Sequence, residues 1–188
     1  IEAGPEILKG FPDAFRRRVA RNLHESGIDV TTGAAVAEVA DGQVRLAGGG
    51  SLPADAVVWA TPGRPPDWLR GSGLALDRDG FVATRRTLAS VSHLEVLAVG
   101  DVGTVVDSPR PKAGVWSVRA GPPLAAQIRR IAAGAPLEPV GLQRQALVIL
   151  SVGDRRAVAT RNGLVAEGRW VWWWKDRIDR AFVQRFRR

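Results

Sequence analysis

Apolar runs of strand length alternate with helical periodicities along this chain, and that alternation limits the fold more than any other feature. Phe11, Phe15, Val19 and Leu23 recur every four residues, and Pro12 suits the first turn of a helix. Gly27 stands where a left-handed residue ends a helix. Residues 1–3 read as the end of a strand broken by Gly4-Pro5, and further strands are expected at 28–31, 34–40 and 43–47, with Asp41-Gly42 as a tight hairpin turn. The run 55–60 (DAVVWA) reads as a buried strand, followed by the stiff crossover Thr61-Pro62-Gly63-Arg64-Pro65-Pro66. Asp79-Gly80 turns a hairpin into 81–83, and the strand 95–99 runs into Gly100-Asp101. A helix is expected from Ala113 or Gly114 to Ala133, stopped by Gly134 and Pro136. A strand at 146–152, a turn at Gly153-Asp154, a hairpin around Asn162-Gly163 and a helix over 171–186 complete the chain. Alternation followed by an antiparallel end argues for a mixed α/β protein rather than a bundle or a sandwich.

Composition narrows the chemistry. Hydrophobic residues make up 45% and charged residues 24% of the 188, enough apolar mass for a core and too much for a disordered chain. The absence of cysteine excludes thiol catalysis, dithiol redox chemistry and thiolate metal sites within this stretch. No apolar run approaches the roughly 20 residues that a membrane-spanning helix needs. The chain contains no methionine and opens at Ile1, so it is expected to be a piece of a longer protein or a processed one. Its net charge is +8, carried mostly by arginine, since Lys9, Lys112 and Lys175 are the only lysines. Arg16, Arg17, Arg18 and Arg21 cluster in the first helix, and Lys175, Arg177, Arg180, Arg185, Arg187 and Arg188 crowd the C-terminus. Such a charge permits nucleic acid, an anionic membrane or an anionic cofactor as partner. Nucleic acid is not expected, because aromatic and basic residues alternate on none of the expected strands.

Four features carry candidate chemistry, each with a plainer reading beside it. Glu2 follows a strand end, where an acid in a dinucleotide-binding sheet holds the adenosine ribose of NAD; taken alone, a Glu there is usually a solvated turn residue. The glycine fingerprint that would precede such an acid occurs nowhere in the chain. Gly100-Asp101 ends an apolar strand, where glycine admits close approach and the carboxylate can accept from sugar hydroxyls; alternatively it is a strand-ending turn. The helix opening at Lys112-Ala113-Gly114 offers unpaired amides to negative charge, or simply packs through Val115, Val118, Leu124 and Ile128. The C-terminal segment 170–188, rich in tryptophan and arginine, suits the headgroup layer of an anionic bilayer, or packs on a sheet of the same chain. His24 and His93 sit in no nucleophile or metal motif, so no catalytic side chain and no metal site are expected.

Together and in order, IEAGPEIL, a basic helix, SLPADAVVWAT, DGFVATRRTL, the LAVGD strand and a helix opening with KAGV resemble the C-terminal half of FAD-dependent pyridine nucleotide-disulfide oxidoreductases. The likeness is strongest to type II NADH dehydrogenase-like flavoproteins, of the bacterial kind found alone or fused to selenide, water dikinase. PKAGVWSVRAGPPLAAQIRR and ILSVGDRRAVAT…GRWVWWWKDRIDR carry that part of the match.

The resemblance implies an α/β fold of partial FAD/NAD(P)-binding, Rossmann-type domains followed by a small α+β interface domain. Residues 1–60 would be the tail of the NAD-binding domain, 61–135 the returning part of the FAD-binding domain, and 136–188 the C-terminal domain with its amphipathic helix. It implies that Glu2 holds the adenosine ribose of NADH and that Thr61 marks the strand end where the chain returns to the FAD domain. Gly100 and Asp101 would bind the ribityl and pyrophosphate part of FAD, and Lys112, Ala113, Gly114 and Val115 would border the isoalloxazine. The related proteins have Ala-Thr-Gly at the crossover, whereas Pro62 follows Thr61 here and lacks an N–H. The implied activity is hydride transfer from NADH to flavin and electrons onward to a quinone or other acceptor. The missing N-terminal half of the same protein is the implied partner, and without it this chain is expected to be inactive. Its expected location is cytoplasmic, with peripheral attachment to the inner face of the cell membrane as the alternative. A non-catalytic membrane-surface or interaction module is the rival function.

Overall fold

The computed structural model describes residues 1–143 and 145–187. They form two compact units, Ile1–Val58 with Gln145–Arg188, and Trp59–Arg144.

In the first unit, helix α1 (Asp13–Glu25) buries Phe15 and Val19, the apolar positions its four-residue spacing marks out. Strands β1 (Val36–Ala40), β2 (Gln43–Leu46) and β3 (Ser51–Pro53) form an antiparallel sheet in sequence order. Asp41 and Gly42 both have positive φ, +53° and +69°, as a two-residue turn with the twist of its strands requires. Strands β6 (Val148–Ser151), β7 (Ala157–Arg161) and β8 (Leu164–Gly168) form a second antiparallel sheet, its β7–β8 turn made by Asn162 and Gly163 at positive φ. Central β7 is buried on both faces. Val158 packs with Phe15 and Val19 of α1, while Ala157 and Ala159 on the opposite face pack with Val171 of α3 (Arg169–Gln184). Glu167 of β8 is only 13% exposed and ties α1 to the sheet, accepting from Arg21 (2.6 Å), Asn22 (2.9 Å) and Arg156 (3.2 Å), with Arg18 nearby at 3.7 Å.

In the second unit, β4 (Val82–Thr84) and β5 (Gly103–Val105) pair in parallel, above a core of Leu69, Val82 and Ala98. A 3₁₀ turn at Gly100–Val102 leads into β5. Helix α2 (Gly114–Ala132) continues through Pro122 and Pro123.

Several expected strands did not form. Residues 1–3 and 28–31 make no ladder; they share one bond, Glu2 N–H to the Thr31 carbonyl at 2.8 Å, and Ala34 N–H beyond them bonds the Glu2 carbonyl at 3.0 Å. The run 55–60 is neither a strand nor buried: Val58 is 89% and Trp59 60% exposed. A strand is stable only beside a neighbour that takes up its backbone groups, and no described residue pairs with this run. The stretch 95–99 is reduced to a single antiparallel bridge between Ala89 and Leu97. The apolar packing expected along α2 is incomplete, since Val118 and Ile128 are about half exposed, at 50% and 53%.

Candidate functional site

The second unit gathers the carboxyl end of 95–99, the entry to β5 and the opening of α2 around one cavity of ≈ 70 Å³. Gly100, Asp101, Gly103, Arg110, Lys112 and Trp116 are among its walls. Two glycines shape it. Gly100 has φ +66°, and a Cβ there would stand 3.1 Å from Ser117 Oγ in the first turn of α2. Gly103 is more restricted still: a Cβ would come within 2.6 Å of the Ala98 carbonyl oxygen and 2.7 Å of its carbon. The backbone can therefore double back on 98–99 only where residue 103 has no side chain.

Asp101 faces the helix opening, its Oδ1 accepting from Ser117 Oγ at 3.3 Å. Ala113 precedes α2 with no side-chain cap, so its first amides take no acceptor from a capping residue. Lys112 commits two of its three N–H donors to the Gly103 carbonyl (2.7 Å) and Thr104 Oγ1 (2.9 Å), and its ammonium stands 4.2 Å from the Phe81 ring centre. Burial pushes its pKa below the ordinary lysine value, against the opposing pull of Asp77, Asp101 and Asp79. Burial pushes the Asp77 carboxyl up, but bonds from Thr104 and the amides of Phe81 and Asp79, with the Lys112 charge, outweigh it and hold Asp77 below its ordinary value. Arg110 lies 4.7 Å over the Trp116 ring, and its Nη2 is buried with no acceptor. Burial and the neighbouring Arg86 lower its pKa.

The cavity thus brings together Gly100, Asp101, Lys112 and Ala113; Gly114 and Val115 follow in the helix but do not line it. Thr61 lies in an exposed, irregular stretch and contributes nothing to it. Glu2 belongs to the other unit, where its Oε1 accepts from the Gly4 amide at 2.7 Å. Gly103, Ser117 and Arg110 were not singled out from sequence. The second glycine of Gly-Asp-Val-Gly was a usable signal for Gly103, whereas nothing local distinguishes Arg110 from the other arginines. A volume of ≈ 70 Å³ is well below the roughly 300–1,000 Å³ of a cofactor pocket, so these residues supply one wall rather than a whole site.

Comparison with known proteins shows the family and the fold. A family model described as pyridine nucleotide-disulphide oxidoreductase matches residues 1–121. Over 109 residues the chain is 31% identical to a glutathione reductase of Burkholderia cepacia, covering 54% of this chain and 24% of that protein. It is 26% identical over 109 residues to a type II NADH:quinone oxidoreductase of Haemophilus influenzae, covering 57% and 24%. The sulfide:quinone oxidoreductase of Aquifex aeolicus shares the fold, with a TM-score of 0.76 at 18% identity, over 97% of this chain and 48% of that one. The chain therefore spans about a quarter of the curated relatives it matches.

Proposed function

Since the chain belongs to the pyridine nucleotide-disulphide oxidoreductase family, we propose that it is the C-terminal half of an FAD-dependent NADH oxidoreductase of the type II NADH dehydrogenase kind. In this reading, residues 1–60 end the NAD-binding domain, 61–135 return to the FAD-binding domain, and 136–188 form the C-terminal domain. The observation that carries it is the cradle of Gly100, Asp101, Gly103 and the uncapped opening of α2, inside the stretch that matches the family.

The residues present fit a flavin nucleotide. The orphaned Nη2 of Arg110 and the uncapped first amides of α2 suit an anionic, oxygen-rich ligand, and Gly103 lets the strand entry pack tightly on 98–99 behind them. FAD, when bound, supplies the acceptor for the hydride of NADH and passes electrons on to a quinone or other acceptor. Asp101 would accept hydrogen bonds from ribityl hydroxyls, and the amides of Ala113–Val115 would face the negative edge of the ring. Lys112 would add positive charge there while holding the entry of β5 in place. Glu2 would use its remaining carboxylate oxygen for the adenosine ribose of NADH. Chain-borne sulfur plays no part, because these 188 residues contain no cysteine.

Titrating FAD into the purified chain, followed by flavin fluorescence, tests the site. Weak saturable quenching is expected, further weakened by Asp101→Ala and Arg110→Gln. Unchanged titrations in both variants would overturn the assignment of the cradle. A purified chain that is yellow and oxidises NADH at enzyme-like rates would overturn the half-enzyme reading.

A further inference from the structure

We propose that Asp77 is a positioning residue: through the Thr104 hydroxyl it holds the Lys112 ammonium, charged and in one orientation, at the wall of the cavity. The proposal rests on the reading of that cavity as part of a flavin site, and it gives a role to a side chain that does not itself line the cavity. The segment from Asp77 to Phe81 is closed by the Asp77 N–H on the Phe81 carbonyl (2.8 Å) and turned at Gly80, whose φ is +90°. Asp77 Oδ1 accepts from the amides of Asp79 (3.0 Å) and Phe81 (2.9 Å), which fixes the carboxylate within its own turn. The same turn sets the Phe81 ring centre 4.2 Å from Lys112 Nζ. One tight turn thus presents Lys112 with both an aromatic face and a carboxylate.

Thr104 joins the two charges, and chemistry fixes its direction. An ammonium only donates and a carboxylate only accepts, so the Thr104 hydroxyl accepts from Lys112 (2.9 Å) and donates to Asp77. Lys112 gives a second bond to the Gly103 carbonyl at 2.7 Å, and no described residue accepts its third N–H. Both acceptors are uncharged, so the counter-charge comes from carboxylates, of which Asp77 pulls hardest, ahead of Asp101 and Asp79. In the flavin reading Asp101 is engaged by ribityl hydroxyls, and Asp79 is exposed to solvent, which leaves Asp77 as the fixed counter-ion. A lysine held in this way offers an anionic ligand a directed positive charge in place of a mobile one.

The first arm of the test needs no cofactor. The chain has three lysines, so 13C-labelled lysine gives three side-chain signals, and Lys112→Arg identifies the one that belongs to Lys112. Asp77→Asn keeps the oxygen that closes the turn and removes its charge, so the Lys112 titration should move further down in pH. Thr104→Val should move it the same way with the Asp77 charge intact, and Thr104→Ser should restore it. A side chain that only closes its turn would leave the Lys112 titration unmoved in Asp77→Asn, and that result would overturn the proposal. The second arm is a double-mutant cycle on FAD binding, read by flavin fluorescence. Asp77→Asn should weaken binding about threefold or more in the unaltered chain and leave it unchanged in Lys112→Gln. Equal weakening in both backgrounds would also overturn the proposal, because Asp77 would then act without Lys112. Should Asp77→Asn unfold, the pair Thr104→Val and Thr104→Ser decides the same link. Absence of FAD binding by the unaltered chain would overturn the flavin reading alone, and the lysine titration would still decide whether Asp77 holds Lys112.

Discussion

Gly103 tolerates no side chain, because a Cβ would sit 2.6 Å from the Ala98 carbonyl oxygen, a fixed backbone atom. Gly103→Ala should lower the stability of the chain in urea unfolding by about 1–3 kcal/mol, whereas Gly114→Ala, with nothing within 4 Å, should leave it nearly unchanged. Glu167 makes a different kind of contribution. Burial pushes its pKa up, but bonds from Asn22 and Arg21 and the charges of Arg21 and Arg156 hold it below the ordinary glutamate value. A carboxyl with a depressed folded pKa stabilises fully above its ordinary value, and that stability is lost as pH falls through the lower, folded value. Thermal melting should therefore drop across that acid window. Glu167→Gln should remove part of the drop while costing about 1–3 kcal/mol at neutral pH.

Among the elements, the two hairpins with Asp41-Gly42 and Asn162-Gly163 formed as expected because their turn residues carry the whole signal locally. Helix α2 is more surprising: Pro122 and Pro123 lie in its interior and remove donors to the carbonyls of Val118 and Arg119. Replacing both with alanine should raise the melting temperature, by up to about 3 kcal/mol of stability per site. The periodicity of α2 was legible, but the partner of its apolar face was not. Runs 55–60 and 95–99 have the composition of buried strands, yet a parallel strand exists only by its neighbours, and composition does not name them.

For the whole molecule, the outer side of α2 leaves Leu124, Ile128 and Ile131 lining an open groove of ≈ 450 Å³ with Leu97. The chain alone should bind a hydrophobic dye strongly, and Ile128→Lys should reduce both dye fluorescence and self-association without lowering the melting temperature. If instead the variant unfolds at a lower temperature, Ile128 is part of the packing of the chain itself.

Local chemistry determined much from sequence alone: where helices begin and end, which dipeptides turn, the absence of cysteine from this stretch, and the order of motifs that marks the family. Those features depend on residues close together in the chain. Only the tertiary structure decided that Asp101 meets Ser117 in the first turn of α2, that Gly103 lies against Ala98, and that Arg110 stacks over Trp116 with its Nη2 buried and unpaired. It also decided that Glu2 closes a local turn and that the tryptophans of α3 stay in solvent. Such contacts depend on which distant surfaces meet, and hydrophobic spacing says that a face must be covered without saying by what.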